Sequence, residues 1–215
     1  MIREVNVKEI TENIKEMCIE ANYTLSPDMD KAMKKAAEEE KSELGTKILN
    51  QLQENLVIAD SEKIPICQDT GMAVVFVDIG QEIHFTGGQL EEAIHEGVRQ
   101  GYTEGYLRKS VVKDPIERVN TKDNTPAIIH YNIVPGEKIK ITVAPKGFGS
   151  ENMSRIFMLK PADGIEGVKN AILTAVKDAG PNACPPMVIG VGIGGTFEKC
   201  AILAKKALTR NLEEP

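Results

Sequence analysis

Tryptophan is absent, aromatic residues make up only 4% of the 215 residues, and the formal net charge is −6. With no basic block and no interleaving of basic and aromatic residues, this balance argues against nucleic acid or an anionic membrane surface as the main partner. No stretch approaches the roughly 18 uninterrupted apolar residues of a membrane span, and the start MIREVNVKEI lacks the apolar centre of a signal peptide. A cytoplasmic protein is therefore expected. Cysteine is sparse: Cys18, Cys67, Cys184 and Cys200 lie far apart with no CxxC pair, which signals neither a disulfide framework nor a zinc knuckle. Small apolar filler is the default role of such thiols. His84, His95 and His130 share no metal-binding spacing, and neither a G-x-S-x-G elbow nor a Walker loop is present.

The remaining composition, 41% apolar, is that of a folding chain long enough to bury a core without staples. The first sixty residues read as helical. Val7, Ile10, Ile14 and Met17 recur at helical spacing, and Ser26-Pro27-Asp28 starts a second helix. Leu44, Ile48, Leu49 and Leu52 form the stripe of a third. The charge run Lys34 to Lys41 reads as a solvated face. From Ala73 to Ile79 the residues are short and β-branched, as in a buried strand. Gln89 to Tyr106 reads as a helix, although Gly97, Gly101 and Gly105 weaken it by about 1 kcal/mol each. Ala127–Ile133 and Lys138–Val143 resemble a hairpin joined at Val134-Pro135-Gly136-Glu137. Further on, a helix around Val168–Val176 stops at Gly180-Pro181, Met187–Ile193 reads as a strand, and Thr196–Leu208 as a last helix. The expected fold is α/β or α+β: a helical segment over 1–60, then a mixed sheet with flanking helices over 61–215 in the same domain.

Four loops rich in glycine or proline interrupt this scaffold, where a rigid frame usually presents binding groups. They are Ile64 to Gly71, Arg108 to Ser110, Ala144 to Asn152, and Ala183 to Pro186. Cys67 follows a proline and precedes Gln68, Asp69, Thr70 and Gly71, a turn crowded with hydrogen-bonding groups and a poor setting for an inert core thiol. Cys184 stands between Gly180-Pro181 and Pro185-Pro186, and cysteine beside proline in a rigid loop is one setting of iron–sulfur ligands. Gly190-Val-Gly192-Ile-Gly-Gly195 spells G-x-G-x-x-G, yet the second strand and acidic residue of a dinucleotide site do not follow it. Those glycines are read instead as allowing a helix to pack closely on the preceding segment.

Together, Ile66-Cys-Gln-Asp-Thr-Gly71, Asn120-Thr121 with Asn124-Thr-Pro126-Ala127, Lys146-Gly-Phe-Gly-Ser-Glu-Asn152, Ala183-Cys-Pro-Pro186 and Gly194-Gly-Thr196 resemble the α subunit of class I, iron–sulfur fumarate hydratases and the related L-tartrate dehydratases. The resemblance runs from about residue 5 to 210. It implies a hydro-lyase acting on a small dicarboxylate, most simply reversible hydration of fumarate to L-malate, with tartrate dehydration as the alternative. A non-catalytic iron- or anion-binding module is the alternative of another class. The resemblance further implies a [4Fe–4S] cluster with Cys67 and Cys184 as two of three cysteine ligands. Gln68 and Asp69 would act in catalysis or proton transfer, and Arg108, Lys146, Gly147 and Gly149 would bind substrate. The family's third ligand has no counterpart here: Cys200 lies in the last helix and Cys18 on the N-terminal helical face. A chain truncated at its C-terminus, weak in holding the cluster and inactive alone, is the resulting expectation. A β subunit or C-terminal domain would complete it in an oligomeric assembly.

Overall fold

In the computed structural model, which describes residues 2–214, a short strand precedes the first helix. β1 (Arg3–Asn6) leads into α1 (Val7–Tyr23), where the Asn6 side chain accepts the Lys8 N–H at 3.0 Å and caps the helix. Two further helices follow, α2 (Pro27–Glu39) with proline in its first turn and α3 (Glu43–Glu62) capped by Ser42. Then come β2 (Met72–Gly80), β3 (Ile83–Thr86), α4 (Leu90–Glu104), β4 (Ile128–Val134) and β5 (Ile139–Lys146). The chain divides into two compact units, Met1–Lys146 and Gly147–Pro215.

In the first unit, β1 pairs in parallel with β3, and β2 lies between β4 and β5 in a three-stranded mixed sheet. Strand β1 falls inside the segment read as helical. Its four residues gain their strand geometry from β3, a partner some eighty residues away that local periodicity does not register. The expected hairpin of 127–133 with 138–143 is also corrected: β4 runs parallel to β2, β5 antiparallel to it, and the two do not pair with each other. Consecutive burial decides this, because Ala73, Val74, Val75, Phe76 and Val77 are all buried and a strand covered on both faces takes the centre of a sheet. The turn after β4 then crosses over the end of β2. There Gly80 N donates to Lys138 O at 2.8 Å, and a Cβ on Gly80 would stand 2.4 Å from Gly136 O.

The core packs α1 and α4 on the sheet through Ile10, Ile14, Cys18, Val75, Val77, Ile94, Val98 and Tyr102. Two glycines that weaken α4 as an isolated helix, Gly97 and Gly101, and its C-cap Gly105 make this contact possible. A Cβ on Gly97 would lie 2.7 Å from Thr11 O, one on Gly101 2.8 Å from Cys18 Cβ, and one on Gly105 2.9 Å from Ile19 Cγ1. His130 stacks on Phe76 with ring centroids 5.1 Å apart, a packing role rather than a ligand's.

The second unit contains the short α5 (Phe148–Glu151), α6 (Gly164–Ala179) and α7 (Phe197–Ala207), with single 3-10 turns at Pro161–Asp163 and Gly180–Ala183. The expected strand at 187–193 does not form among the described residues, whose two sheets use β1 to β5 alone. Glycine packing governs the segment instead. A Cβ on Gly190 would stand 2.2 Å from Ala204 O and one on Gly192 2.1 Å from Cys200 O, so the extended backbone lies directly on α7. This is the close approach that the run of glycines predicts. No helix is long and apolar enough to cross a membrane among the described residues.

Candidate active site

Strand polarity gathers the chemistry of the first unit at one end of the three-stranded sheet. The loop 67–71 enters β2, residues 124–127 enter β4, and Lys146, at the far end of β5, pairs with Met72. Cys67 is exposed; its thiol lies 3.3 Å from Gln68 Oε1 and accepts the Asp69 N–H at 3.4 Å. Asp69 Oδ1 accepts the Gly71 N–H at 3.1 Å, closing the turn. An open depression of about 300 Å³ is lined by Ile64, Pro65, Cys67, Gln68, Thr70, Tyr106 and Arg108. Cys67, Gln68 and Arg108, all singled out from sequence, thus share one surface, while Asp69 belongs to the turn behind it. Among the described residues the Arg108 guanidinium has no hydrogen-bond or ion-pair partner. A planar cation left open beside an exposed thiol suits a carboxylate, which it can grip with two parallel bonds.

Residues to which the motifs gave no role, Thr70 and Asn124 within them and Tyr102 outside them, hold this depression together. Thr70 Oγ1 donates to Arg108 O at 3.2 Å and accepts Arg108 N–H at 2.9 Å. The hydroxyl of Tyr102, buried on α4, donates to Thr70 O at 2.8 Å. Desolvation pushes the Tyr102 phenol upward, so it stays protonated as a donor. Asn124 is fully buried. Its Oδ1 accepts Ser110 N–H at 2.7 Å and Val111 N–H at 3.1 Å, and its Nδ2 donates to Gly71 O at 3.0 Å. Beside it, Asp123 accepts from Arg99 Nε at 3.0 Å and from Thr125. Burial alone would raise the Asp123 carboxyl, but the Arg99 and Thr125 hydrogen bonds prevail and bring it down to about 2. Tyr106, exposed on the rim with φ 51°, lies outside every quoted motif. Its signal is its place directly after Gly105, at the end of a helix facing the loop.

In the second unit, Gly147 is the N-cap of α5 and Gly149 lies within it. A Cβ on Gly149 would be 3.5 Å from Asn182 O and 4.0 Å from Cys184 Sγ, so the glycine loop and the second candidate thiol are neighbours. Cys184 is exposed and held at φ 57°, ψ 70°, a left-handed conformation uncommon outside glycine and asparagine. Glu151 and Lys205 form an ion pair that ties α5 to α7. Of the other thiols, Cys18 is sealed in the core, where burial pushes it up to about 12, and Cys200 donates to Phe197 O at 3.3 Å. Neither is placed as an open ligand. No group of three or more His, Cys, Asp or Glu side chains suited to a metal forms among the described residues. Exposed cysteines therefore supply two donors, fewer than the four thiolates that commonly hold a [4Fe–4S] cluster.

The fumarate hydratase (Fumerase) family profile matches residues 11–215. The chain belongs to this family. It is 42% identical over 212 residues to the "Putative L(+)-tartrate dehydratase subunit alpha" of Methanocaldococcus jannaschii, covering 96% of this chain and 74% of that protein. Against the L(+)-tartrate dehydratase subunit alpha of Escherichia coli strain UTI89, identity is 30% over 220 residues, covering 98% of this chain and 71% of the relative. The K12 protein of the same name is 29% identical over the same length. Family and relatives together make this chain an α-subunit polypeptide of a hydro-lyase.

Proposed function

We propose that this fumarate hydratase family chain contributes the dicarboxylate-binding half of a cytoplasmic iron–sulfur hydro-lyase that interconverts fumarate and L-malate. The observation that carries the reading is the unpaired Arg108 guanidinium sharing one depression with the exposed Cys67 and Gln68, in a chain of this family. Arg108 holds a substrate carboxylate through a two-pronged bond. Gln68, beside it, orients the substrate, and Asp69 supports proton transfer from the turn. Lys146 and the N–H groups at Gly147 and Gly149 favour an anionic ligand, as glycine-rich turns do. Cys67 and Cys184 are each open to ligate iron. A [4Fe–4S] cluster held in part by Cys67 and Cys184 would supply Lewis acidity for the loss of hydroxide without redox change. The described residues hold two such donors rather than a full set.

The α-subunit names of the relatives support a β subunit as partner; on this reading the remaining ligand and the base for proton abstraction come from polypeptide other than the described residues. Dehydration of L-tartrate is the second reading, favoured by the names of these relatives. The test is anaerobic rebuilding of the cluster with iron and sulfide in the chain co-expressed with its β subunit and any segment that completes the α subunit. Malate formed from fumarate supports the first reading, and turnover of tartrate alone selects the second. Loss of cluster absorbance in Cys67→Ser and Cys184→Ser checks the ligands, whereas the absence of both activities rejects the hydro-lyase reading.

A further inference from the structure

We propose that Asn124 is a positioning residue: with the hydroxyl of Thr70, its side-chain amide sets the separation between the Cys67–Asp69 turn and Arg108. The two segments are loops, and the bonds that join them run through these side chains. Asn124 binds Ser110 N and Val111 N through one oxygen and Gly71 O through its nitrogen, while Thr70 Oγ1 bonds both backbone groups of Arg108. Asparagine fits this place on three counts. It carries a donor and a two-lone-pair acceptor on one short side chain, it tolerates the φ of 61° found there, and it is neutral where nothing is exposed to water. Aspartate keeps the acceptor but has no N–H for Gly71 O and brings a charge into a dry site. Alanine strands three backbone groups, those of Val111 and Gly71 buried and that of Ser110 partly so. Ser110 joins the brace through its amide alone, since its buried hydroxyl has no partner among the described residues.

What the two loops do together rests on the hydro-lyase reading, but the brace itself is measured without turnover. Backbone hydrogen exchange and peptide-resolved iodoacetamide labelling of Cys67 relative to Cys184 are read on the full chain. In Asn124→Ala and Thr70→Val, amides of the 108–111 segment exchange about fivefold faster or more, the scale of one lost hydrogen bond. Cys67 labelling rises by a similar factor, and the helical amides of α1 and α4 stay as in the wild type. Thr70→Ser, which keeps the hydroxyl, restores wild-type values, and Ser110→Ala leaves them unchanged. Val98→Ala, a core truncation on α4 that removes none of the brace's hydrogen bonds, controls for general loosening.

The inference is overturned if the 108–111 amides keep their protection in both Asn124→Ala and Thr70→Val. It is equally overturned if α4 amides accelerate by the same factor, or if Val98→Ala reproduces the Cys67 response. An assembled enzyme that turns over neither dicarboxylate while these labelling changes persist would sink the functional reading and leave the brace standing.

Discussion

Arg108 is the side chain on which a carboxylate-binding role is most directly measured, because Arg108 lines the depression and its guanidinium has no protein partner among the described residues. In the assembled enzyme, Arg108→Ala should raise KM by about 10- to 100-fold, the worth of a charge-assisted bond, with kcat less affected. Arg108→Lys recovers charge but not the fork, and its KM should fall between the two. Thiol accessibility gives a second residue-scale expectation. Iodoacetamide at pH 8 should label Cys67 and Cys184 in the folded chain and spare Cys18, whose thiol burial pushes up to about 12; labelling of Cys18 before unfolding would contradict its place in the core. Asp123 links pH to stability. Its folded value of about 2 lies below the ordinary carboxyl value of about 3.9, so its contribution is complete above that value and disappears as pH falls toward 2. The difference in unfolding free energy between wild type and Asp123→Asn should therefore shrink across that acid window and stay constant near neutrality.

Among the elements, the α1–α4 pair shows how a weak helix former strengthens a fold. Glycines at positions 97 and 101 cost α4 intrinsic helicity, yet they let its backbone approach α1 until Thr11 O and Cys18 Cβ lie where a Cβ would go. Gly97→Ala should destabilise the chain by about 1 to 3 kcal/mol, the usual cost of overpacking, although alanine is the better helix former. Urea unfolding measures this, and a gain in stability would show that the helices can part without loss. The same elements orient the site. Tyr102 on α4 reaches Thr70, and Arg99 on α4 reaches Asp123, so the helix that packs through glycine also anchors the Cys67 turn and the segment that carries Asn124.

At the scale of the whole chain the two units differ in what they bury. Residues of the first unit form a continuous core from Val5 to Ala127, whereas Ala179 is the one buried apolar residue among the described residues of the second. Met158, Ile165, Ile193 and Phe197 of the second unit are each at least 65% exposed, which puts apolar surface in water where a folded unit would hide it. A fragment of residues 2–146 should unfold cooperatively by itself. A fragment of 147–215 should show no cooperative thermal transition and should bind a hydrophobic dye, since so small a unit with so little buried is marginal. Cooperative melting of the shorter fragment would refute this.

Much of the helical framework was legible because its signals are local: the apolar stripe of α1, proline at the start of α2, the glycine that stops α6, and the threonine that caps α7. The Cys67 turn and Arg108 also stood out, as polar and glycine-bearing breaks between regular elements. Strand partners could not be read this way. An apolar run such as Ala73–Ile79 states that it will be buried but not beside which strand, so β2 parted an apparent hairpin, and β1 emerged only through β3. Nor could sequence spacing show that Thr70 and Asn124 join loops that lie dozens of residues apart. Residue order set the helices, turns and reactive groups of this protein, because each depends on neighbours a few positions away. Tertiary structure alone decided strand order and the brace behind the candidate site, because hydrogen bonds between distant segments exist only once the chain has closed on itself.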